Sequence, residues 1–186
     1  MPLPEQRLRE ELGEPSERTR GKVRDHMLPW VQQFIRSSPF AVLASADASG
    51  RCDASPRGGK PGFVQVLDER HLLLPDIAGN RLFQSYGNVL DNPNVGLIFM
   101  IPGVDETVRV NGRAERLDAD AMRALGAELA VHAPDAKARL QQGLRIEVHE
   151  AYGHCPRALT FSRLWDAERI ERHRAERPLP PKPSGV

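Results

Sequence analysis

The stretch of sequence most informative about the fold is residues 72–102, LLLPDIAGNRLFQSYGNVLDNPNVGLIFMIP. An apolar run stops at Pro75-Asp76, and a turn containing glycine follows. An amphipathic segment then ends at Asn92-Pro93, ahead of a segment that is nearly all apolar, as in a strand buried on both faces. The pattern predicts a strand, a turn, a helix over residues 80–91 and a second strand.

The turn at residues 75–82 permits two interpretations. The first N–H groups of a helix have no partner inside the helix, and the helix dipole adds partial positive charge there. Asn80 is a good N-cap residue, Gly79 lets the backbone approach a ligand closely, and Arg81 can clamp the oxygens of an anion. The turn is therefore either an ordinary capped helix or a phosphate site.

Composition restricts the classes of function. The 186 residues suffice for one domain with extensions, and 40% hydrophobic and 27% charged residues are typical of a globular protein. A net charge of +1 provides no broad basic field for nucleic acid or an anionic membrane. The polar N-terminus differs from a signal peptide, and no apolar run approaches the roughly 20 residues that span a bilayer. We expect a cytoplasmic protein with no nucleic-acid or membrane partner.

Several common nucleotide-binding and catalytic motifs are missing. RGGKPG lies between two predicted strands, whereas a dinucleotide fingerprint stands between a strand and a helix. Lys60 is followed by Pro61 rather than by Ser or Thr, which excludes a P-loop. No G-x-S-x-G nucleophile turn is present.

The two cysteines, Cys52 and Cys155, provide no disulfide framework. His149 and His154 lie near Cys155, but this spacing lacks the close ligand pairs of most zinc sites. We therefore expect no metal site and two small, buried cysteines.

The patterns in the remaining segments predict hairpins and helices. Residues 39–47 and 51–57 predict a first hairpin, and residues 63–68 and 71–76 a second strand pair. An alternating strand over 107–117 and a last strand over 143–154 follow. The predicted helices are a segment capped by Ser16 and kinked or split at Pro29, one capped by Asp118, and two more at 134–142 and 156–176. About six strands, mostly in hairpins, favour a small antiparallel barrel with helical decoration.

Residues 40–117 resemble the flavin-binding split barrel of the pyridoxamine 5'-phosphate oxidase family. The resemblance rests on the turn and helix ending in LDNPNVGLIFMIP, on VRVNGRAERL, which is similar to the family's V-x-V-x-G-x-A-E strand, and on FAVLASADASGRCDASPRG. It implies a mainly β fold with helices, an antiparallel split β-barrel that binds flavin mononucleotide (FMN). The barrel domain would cover residues 39–165, between a helical N-terminal extension, 1–38, and a C-terminal helix end with a Pro-rich tail, 166–186.

The resemblance also implies a phosphate end of the cofactor site. Asn80 and Arg81, directly after Gly79, occupy the family's phosphate-clamping positions. Pro75 and Asp76 match the strand-end pair that passes along the ribityl chain. This implication favours the phosphate interpretation of the turn over a simple helix cap.

Two further strands contribute by the same resemblance. Ser55 and Arg57 belong to the ASPRG segment, which places Arg57 near the flavin phosphate or pyrimidine; the alternative is a surface charge at a strand end. Thr107 matches a polar position that faces the flavin, and Arg109 stands two residues further along that strand.

The family places its flavin at the interface of a two-fold dimer, which implies a homodimer here. The C-terminal HCPRALTFSRLW then either completes the partner's site, through Arg157, Arg163 and Trp165, or forms a surface helix. The sequence leaves these alternatives open.

The implied function is an FMN-dependent oxidoreductase acting on an unidentified small molecule, with no catalytic side chain assigned. Departures from the family pattern argue against vitamin B6 phosphate oxidation, since Ser55 and Leu82 stand where basic residues are usual. A C-terminal Arg/His pair that grips the substrate phosphate also has no clear counterpart. A deazaflavin-dependent reductase and a non-catalytic flavin- or haem-binding protein remain alternatives.

Overall fold

Seven strands form one antiparallel sheet with helices around it in a computed structural model that describes residues 4–77, 82–136 and 138–182. The strands are β1 (Phe40–Ala46), β2 (Cys52–Gly58), β3 (Gln65–Val66), β4 (His71–Ile77), β5 (Asn94–Met100), β6 (Thr107–Asp118) and β7 (Leu140–His154). The helices are α1 (Pro4–Leu12), α2 (Glu17–Gly21), α3 (Pro29–Ser37), α4 (Gln84–Asp91), α5 (Ala119–Ala124), α6 (Arg157–Ser162) and α7 (Ala167–Glu176).

The strand order β2-β1-β5-β6-β7-β4-β3 is that of a split barrel, which confirms the predicted fold class. β1 and β2 form the predicted first hairpin, with Phe40 opposite Gly58 and Ala46 opposite Cys52. β3 pairs only with Leu72 and Leu73 of β4 and leaves the end of β4 uncovered. Among the described residues no backbone ladder joins β2 to β4. We call the gap between Cys52–Gly58 and His71–Ile77 the seam.

The barrel interior is filled by alternate residues of the long strands. Leu97 and Phe99 of β5 are fully buried beside Leu43 of β1 and Val110 of β6. The other face of β5 is only partly buried, as its alternating burial pattern shows. The prediction that this strand is buried on both faces is therefore wrong for a single chain, because its outer face stays partly exposed among the described residues.

The predictions for the N-terminal helices are confirmed in part. The Ser16 side chain accepts a hydrogen bond from the Thr19 N–H, so it caps α2 as predicted. Pro29 stands in the first turn of α3, which means that the helix is split there rather than kinked. Four apolar residues in and just before α3 are buried against the sheet core: Met27, Val31, Phe34 and Ile35. Val23 and Trp30, from the same region, are exposed.

Two predicted helices differ from the structure. Residues 134–142 were expected to be helical, but Leu140 and Gln142 pair with β4 as the start of β7, and the other described residues of that segment are not helical. Ladder formation with β4 outweighs the local helix pattern there. The segment 156–176 is divided into α6 and α7, because Arg163 adopts a left-handed conformation with φ of 51°.

The helix predicted over residues 80–91 begins later than expected. α4 starts at Gln84, and its N-cap residue is Phe83 in a left-handed conformation. The assignment of Asn80 as the cap of this helix is therefore wrong, although Asn80 itself lies outside the described residues.

Both cysteines are exposed, so the prediction that they are buried is wrong. Cys52 begins β2, an end strand of the sheet, and Cys155 follows the end of β7. None of the described helices is long and apolar enough to cross a membrane.

Candidate flavin site at the seam

A cavity of about 160 Å³ lies in the seam, and we call it the seam pocket. One wall is β2, whose alternation turns Asp53, Ser55 and Arg57 to the face on which β1 carries core residues. The opposite wall is the uncovered end of β4, and residues 82–86 at the start of α4 close the pocket. Because β2 ends the sheet, its inward face meets this polar cavity instead of a packed core.

The Arg57 guanidinium spans the seam. Its Nη2 donates to Ser85 Oγ at 3.2 Å, and Ser85 Oγ donates in turn to Asp53 Oδ2 at 2.8 Å. Its Nη1 lies 3.8 Å from Asp76 Oδ1 on β4. The side chains of Arg57 and Asp76 are 23% and 17% exposed, so this ion pair is partly shielded from water. The seam is therefore bridged by side chains where backbone pairing is missing.

A chain of two side-chain hydrogen bonds connects Asp76 through Gln142 to Arg116. Gln142 Nε2 donates to Asp76 Oδ2 at 3.3 Å, and Arg116 Nε donates to Gln142 Oε1 at 2.7 Å. Burial raises the pKa of Asp76, and the Gln142 hydrogen bond and the Arg57 charge oppose that rise only in part. The pocket thus holds a carboxyl group whose ionised form is poorly solvated.

Tyr86 of α4 also lines the seam pocket and is 6% exposed. Burial raises the pKa of Tyr86 far above its usual value, and the negative charge of Asp76 adds to the rise. The phenol therefore stays protonated near neutral pH and can serve only as a neutral hydrogen-bonding group.

The described lining of the seam pocket contains one positive and two negative side chains. Arg57 supplies the positive charge, and Asp53 and Asp76 supply the negative charges. A phosphate dianion placed among these three residues would be repelled by both carboxylates. Hydroxyl, amide and guanidinium groups nevertheless provide donors for an uncharged polar ligand.

A second pocket, of about 180 Å³, lies on the other side of the Arg57–Asp76 pair. Pro56, Phe63 and Pro75 contribute to its apolar wall, and Glu128 and Ala130 contribute from the segment that follows α5. This segment is held in place because the Lys60 N–H donates to the Ala130 carbonyl at 2.8 Å. A side chain at Gly59 would collide with the same carbonyl, its Cβ lying only 2.4 Å from the oxygen.

The structure brings part of the predicted site together. Ser55, Arg57 and Asp76 line the seam pocket, and Pro75 lines the second pocket. Gly79, Asn80 and Arg81 lie outside the described residues, and their assignment to the phosphate stays a prediction. Four contributors to the seam were not predicted from the sequence: Asp53, Ser85, Tyr86 and Gln142. The alternation of β2 could have indicated Asp53, whereas the other three approach the seam only through tertiary packing.

The predicted residues of β6 lie elsewhere in the chain. Thr107 and Arg109 occupy the partly exposed outer face of β6, and β6 stands three strands away from β2. Arg109 Nη1 donates to the Tyr152 hydroxyl at 3.1 Å, and its guanidinium lies 5.8 Å from the centre of that ring. Within one chain these two residues do not join the seam pocket.

The C-terminal candidates are also separate from the seam pocket. Arg157 lies over the Phe161 ring at 5.0 Å on α6, and Arg163 pairs with Asp166 at 2.6 Å. The Trp165 indole donates to the Val104 carbonyl at 3.0 Å. Their predicted roles in a partner's site remain predictions.

Comparison with known proteins places this fold in a family. The model of the pyridoxamine 5'-phosphate oxidase family matches residues 27–155, and the chain belongs to that family. The resemblance seen in the sequence is thereby confirmed. No curated protein sequence matches the chain.

Two solved structures illustrate the likeness of the fold. HupZ of Group A Streptococcus is similar with a TM-score of 0.51 and 16% identity, over 68% of this chain and 93% of that chain. A candidate pyridoxamine 5'-phosphate oxidase of Lactobacillus delbrueckii is similar with a TM-score of 0.50 and 20% identity, over 69% and 95% of the two chains. At these identities the likeness shows the fold alone.

Proposed function

We propose that the protein binds FMN at the seam and acts as a flavin-dependent oxidoreductase on a small molecule. The observation that carries the proposal is the seam pocket, a polar cavity lined by Ser55, Arg57 and Asp76 in a chain of the pyridoxamine 5'-phosphate oxidase family. Ligand sites are concave and hold a few convergent polar groups, as this cavity does.

The charges of the seam pocket favour one end of the cofactor. Arg57, Ser55 and Ser85 suit the uncharged ribityl or pyrimidine part of the flavin, because they can donate to hydroxyl and carbonyl oxygens. The phosphate is assigned to the turn that the sequence predicts at residues 75–82, with Arg81 as its cation. Ile77 and Leu82, which belong to that segment, both line the seam pocket.

A homodimer is part of the proposal because one chain supplies an incomplete site. The seam pocket, at about 160 Å³, is smaller than the roughly 300–1,000 Å³ typical of ligand pockets. Thr107 and Arg109 lie on the outer face of β6, away from the seam pocket of their own chain, and this position favours a role in a site shared with another chain. The same face of the sheet carries the partly buried Ile98 and Met100 on β5. An interface built on these residues supplies a second wall for the flavin.

The chemistry divides between cofactor and protein. Flavin supplies hydride or electron transfer when it is bound. Arg57 and Asp76, held across the seam, fix the position of groups on the ligand. Tyr86 stays neutral and donates a hydrogen bond without transferring a proton. None of the described residues in the pocket has to serve as a general base.

Titration with FMN and with riboflavin tests the assignment of the two ends. Arg81→Ala should weaken FMN binding by about 10- to 150-fold and leave riboflavin binding unchanged, since a charge-assisted bond contributes roughly 1.5–3 kcal/mol. Arg57→Ala should weaken both ligands to a similar degree. Arg18→Ala, at an exposed position of α2, is the control. Equal binding of FMN and riboflavin by the wild type would contradict a phosphate site.

The spectrum of the purified protein tests the cofactor class. Flavin absorbance with reduction and turnover supports the proposal, whereas a Soret band identifies a haem protein. Tighter binding of a deazaflavin than of FMN would change the proposed cofactor but not the proposed site. Flavin binding without turnover under any reductant would identify a carrier.

Sedimentation tests the dimer. The wild type should sediment at twice the 20.7 kDa mass of one chain. Ile98→Lys places a charge on the outer face of β5 and should produce a monomer with weaker FMN binding. A wild-type species of 20.7 kDa refutes this part of the proposal.

A further inference from the structure

The seam pocket and the second pocket share three lining residues, Arg57, Asp76 and Ile77. The Arg57–Asp76 pair is therefore a partition with a cavity on each side. If flavin occupies the seam pocket, as the proposed function requires, the second pocket lies directly beside the cofactor. A small molecule held there is positioned to meet the flavin.

Part of the wall of the second pocket is apolar and is held in place by the backbone. Phe63 is 6% exposed, and its backbone N–H donates to the Lys60 carbonyl at 2.9 Å in a tight turn. Pro56 and Pro75 add ring surfaces with a fixed backbone angle. Such a wall suits a compact hydrocarbon or aromatic body.

Three of the described residues that line the second pocket are charged: Arg57, Asp76 and Glu128. Arg57 and Asp76 compensate each other across the seam, which leaves the carboxylate of Glu128. Within the part of the chain that the structure describes, the Glu128 side chain makes no ion pair and no hydrogen bond. Its carboxylate is exposed at the edge of the pocket, where it attracts a cation and repels an anion.

We propose that the second pocket binds a small molecule with an apolar body and a positively charged amine, and that this is the substrate class of the enzyme. Its role as a substrate site rests on the proposed function, whereas the preference for an amine rests on the pocket alone. A phosphorylated substrate is disfavoured because its anion would face the uncompensated carboxylate of Glu128. This preference agrees with the departures in the sequence from the family's substrate-phosphate residues.

Three probes of similar shape and different charge test the preference. Binding of benzylamine, benzyl alcohol and benzoate to the full chain is measured by ligand-observed NMR. Benzylamine should bind most tightly and benzoate least tightly. Glu128→Gln should weaken benzylamine about three- to fivefold, as expected for a largely exposed ion pair, and leave benzyl alcohol unchanged.

Three variants separate this effect from a general one. Glu10→Gln makes the same change at an exposed glutamate of α1 and should alter nothing. Glu128→Lys should reverse the order, so that benzoate binds more tightly than benzylamine. Ala130→Leu should weaken benzyl alcohol as well, because the added side chain fills part of the pocket. Circular dichroism of each variant verifies that it is folded.

The inference is overturned if benzoate binds the wild type as tightly as benzylamine, or if Glu128→Gln leaves benzylamine binding unchanged. Titration with FMN keeps the two proposals distinguishable. An amine preference that depends on Glu128, in a chain that binds no flavin, supports this site and refutes the flavin proposal. Flavin binding without that preference supports the proposed function and refutes the amine site.

Discussion

The two sides of the barrel are held together in different ways. On one side, β1, β5, β6 and β7 form continuous backbone ladders over a core of fully buried side chains. On the other side, the seam is crossed by the Arg57–Asp76 ion pair, and Ser85 and Gln142 hold the two ends of that pair by hydrogen bonds. Backbone hydrogen bonds and apolar packing hold the closed side together, whereas contacts between polar side chains around a cavity hold the seam together.

The contrast teaches that stability and binding belong to different parts of this fold. Fully burying one aliphatic side chain contributes about 1.5–3 kcal/mol, whereas a partly exposed ion pair contributes about 0–1 kcal/mol. Changes on the closed side should therefore be seen in unfolding. Changes at the seam should be seen mainly in ligand binding.

The largest effect is expected from Leu97→Ala on the closed side. Leu97 is 1% exposed, so its truncation leaves a cavity and should lower the free energy of unfolding by about 2–5 kcal/mol. Leu12→Ala makes the same change at a residue of α1 that is 77% exposed, and it should shift stability by less than about 0.5 kcal/mol. Urea denaturation measures both. Similar losses for the two variants would mean that the core described here does not dominate stability.

A smaller effect is expected where β6 bulges against β7. The register between these strands shifts at Asn111/Gly112, and a Cβ on Gly112 would lie 2.0 Å from the Glu147 carbonyl oxygen. Gly112→Ala should therefore cost about 1–3 kcal/mol. Gly87→Ala, inside α4 with open space around it, should instead stabilise by up to about 1 kcal/mol. Thermal unfolding of the two variants should thus show opposite signs, and equal signs would contradict this local geometry.

Arg57→Ala tests the seam directly. Its loss should lower the free energy of unfolding by less than about 1 kcal/mol, because the ion pair is long at 3.8 Å and partly exposed. Flavin binding should fall about tenfold or more in the same variant. Parallel denaturation and titration provide the comparison. A large stability loss without a binding loss would make Arg57 a structural residue.

The smallest effect concerns the pH dependence of Asp76. Burial raises the pKa of Asp76 above 3.8, so the folded chain binds this proton more tightly than the unfolded chain. The contribution of Asp76 to stability is therefore greatest below about pH 4 and declines as pH rises through the folded-state pKa. Asp76→Asn lacks this ionisation, so wild-type stability relative to the variant should fall with rising pH. Urea denaturation at several values between about pH 4 and pH 7 measures this difference in stability. A wild type that becomes more stable relative to the variant as pH rises would contradict the prediction.

Residues whose structure differs from the local sequence pattern share a physical cause. Residues 134–142 carry a helical pattern, but a long strand partner overrides it from Leu140 onward. Cysteine is usually a buried residue, but Cys52 is exposed because its strand, β2, lies at the end of the sheet. In both cases the outcome depends on a neighbour that is distant in sequence.

Local patterns in the sequence were enough to predict the hairpins, the helix caps at Ser16 and Asp118, and membership in the family, because strand alternation, capping chemistry and motif spacing are local. They also placed Arg57 and Asp76 among the candidate residues. The meeting of these two side chains across the seam, their support by Ser85 and Gln142, and the second pocket beside them are visible only in the folded chain. Arg57 and Asp76 stand on β2 and β4, far apart in the sheet order, so their contact exists only when the sheet curls, and Ser85 reaches Arg57 from α4.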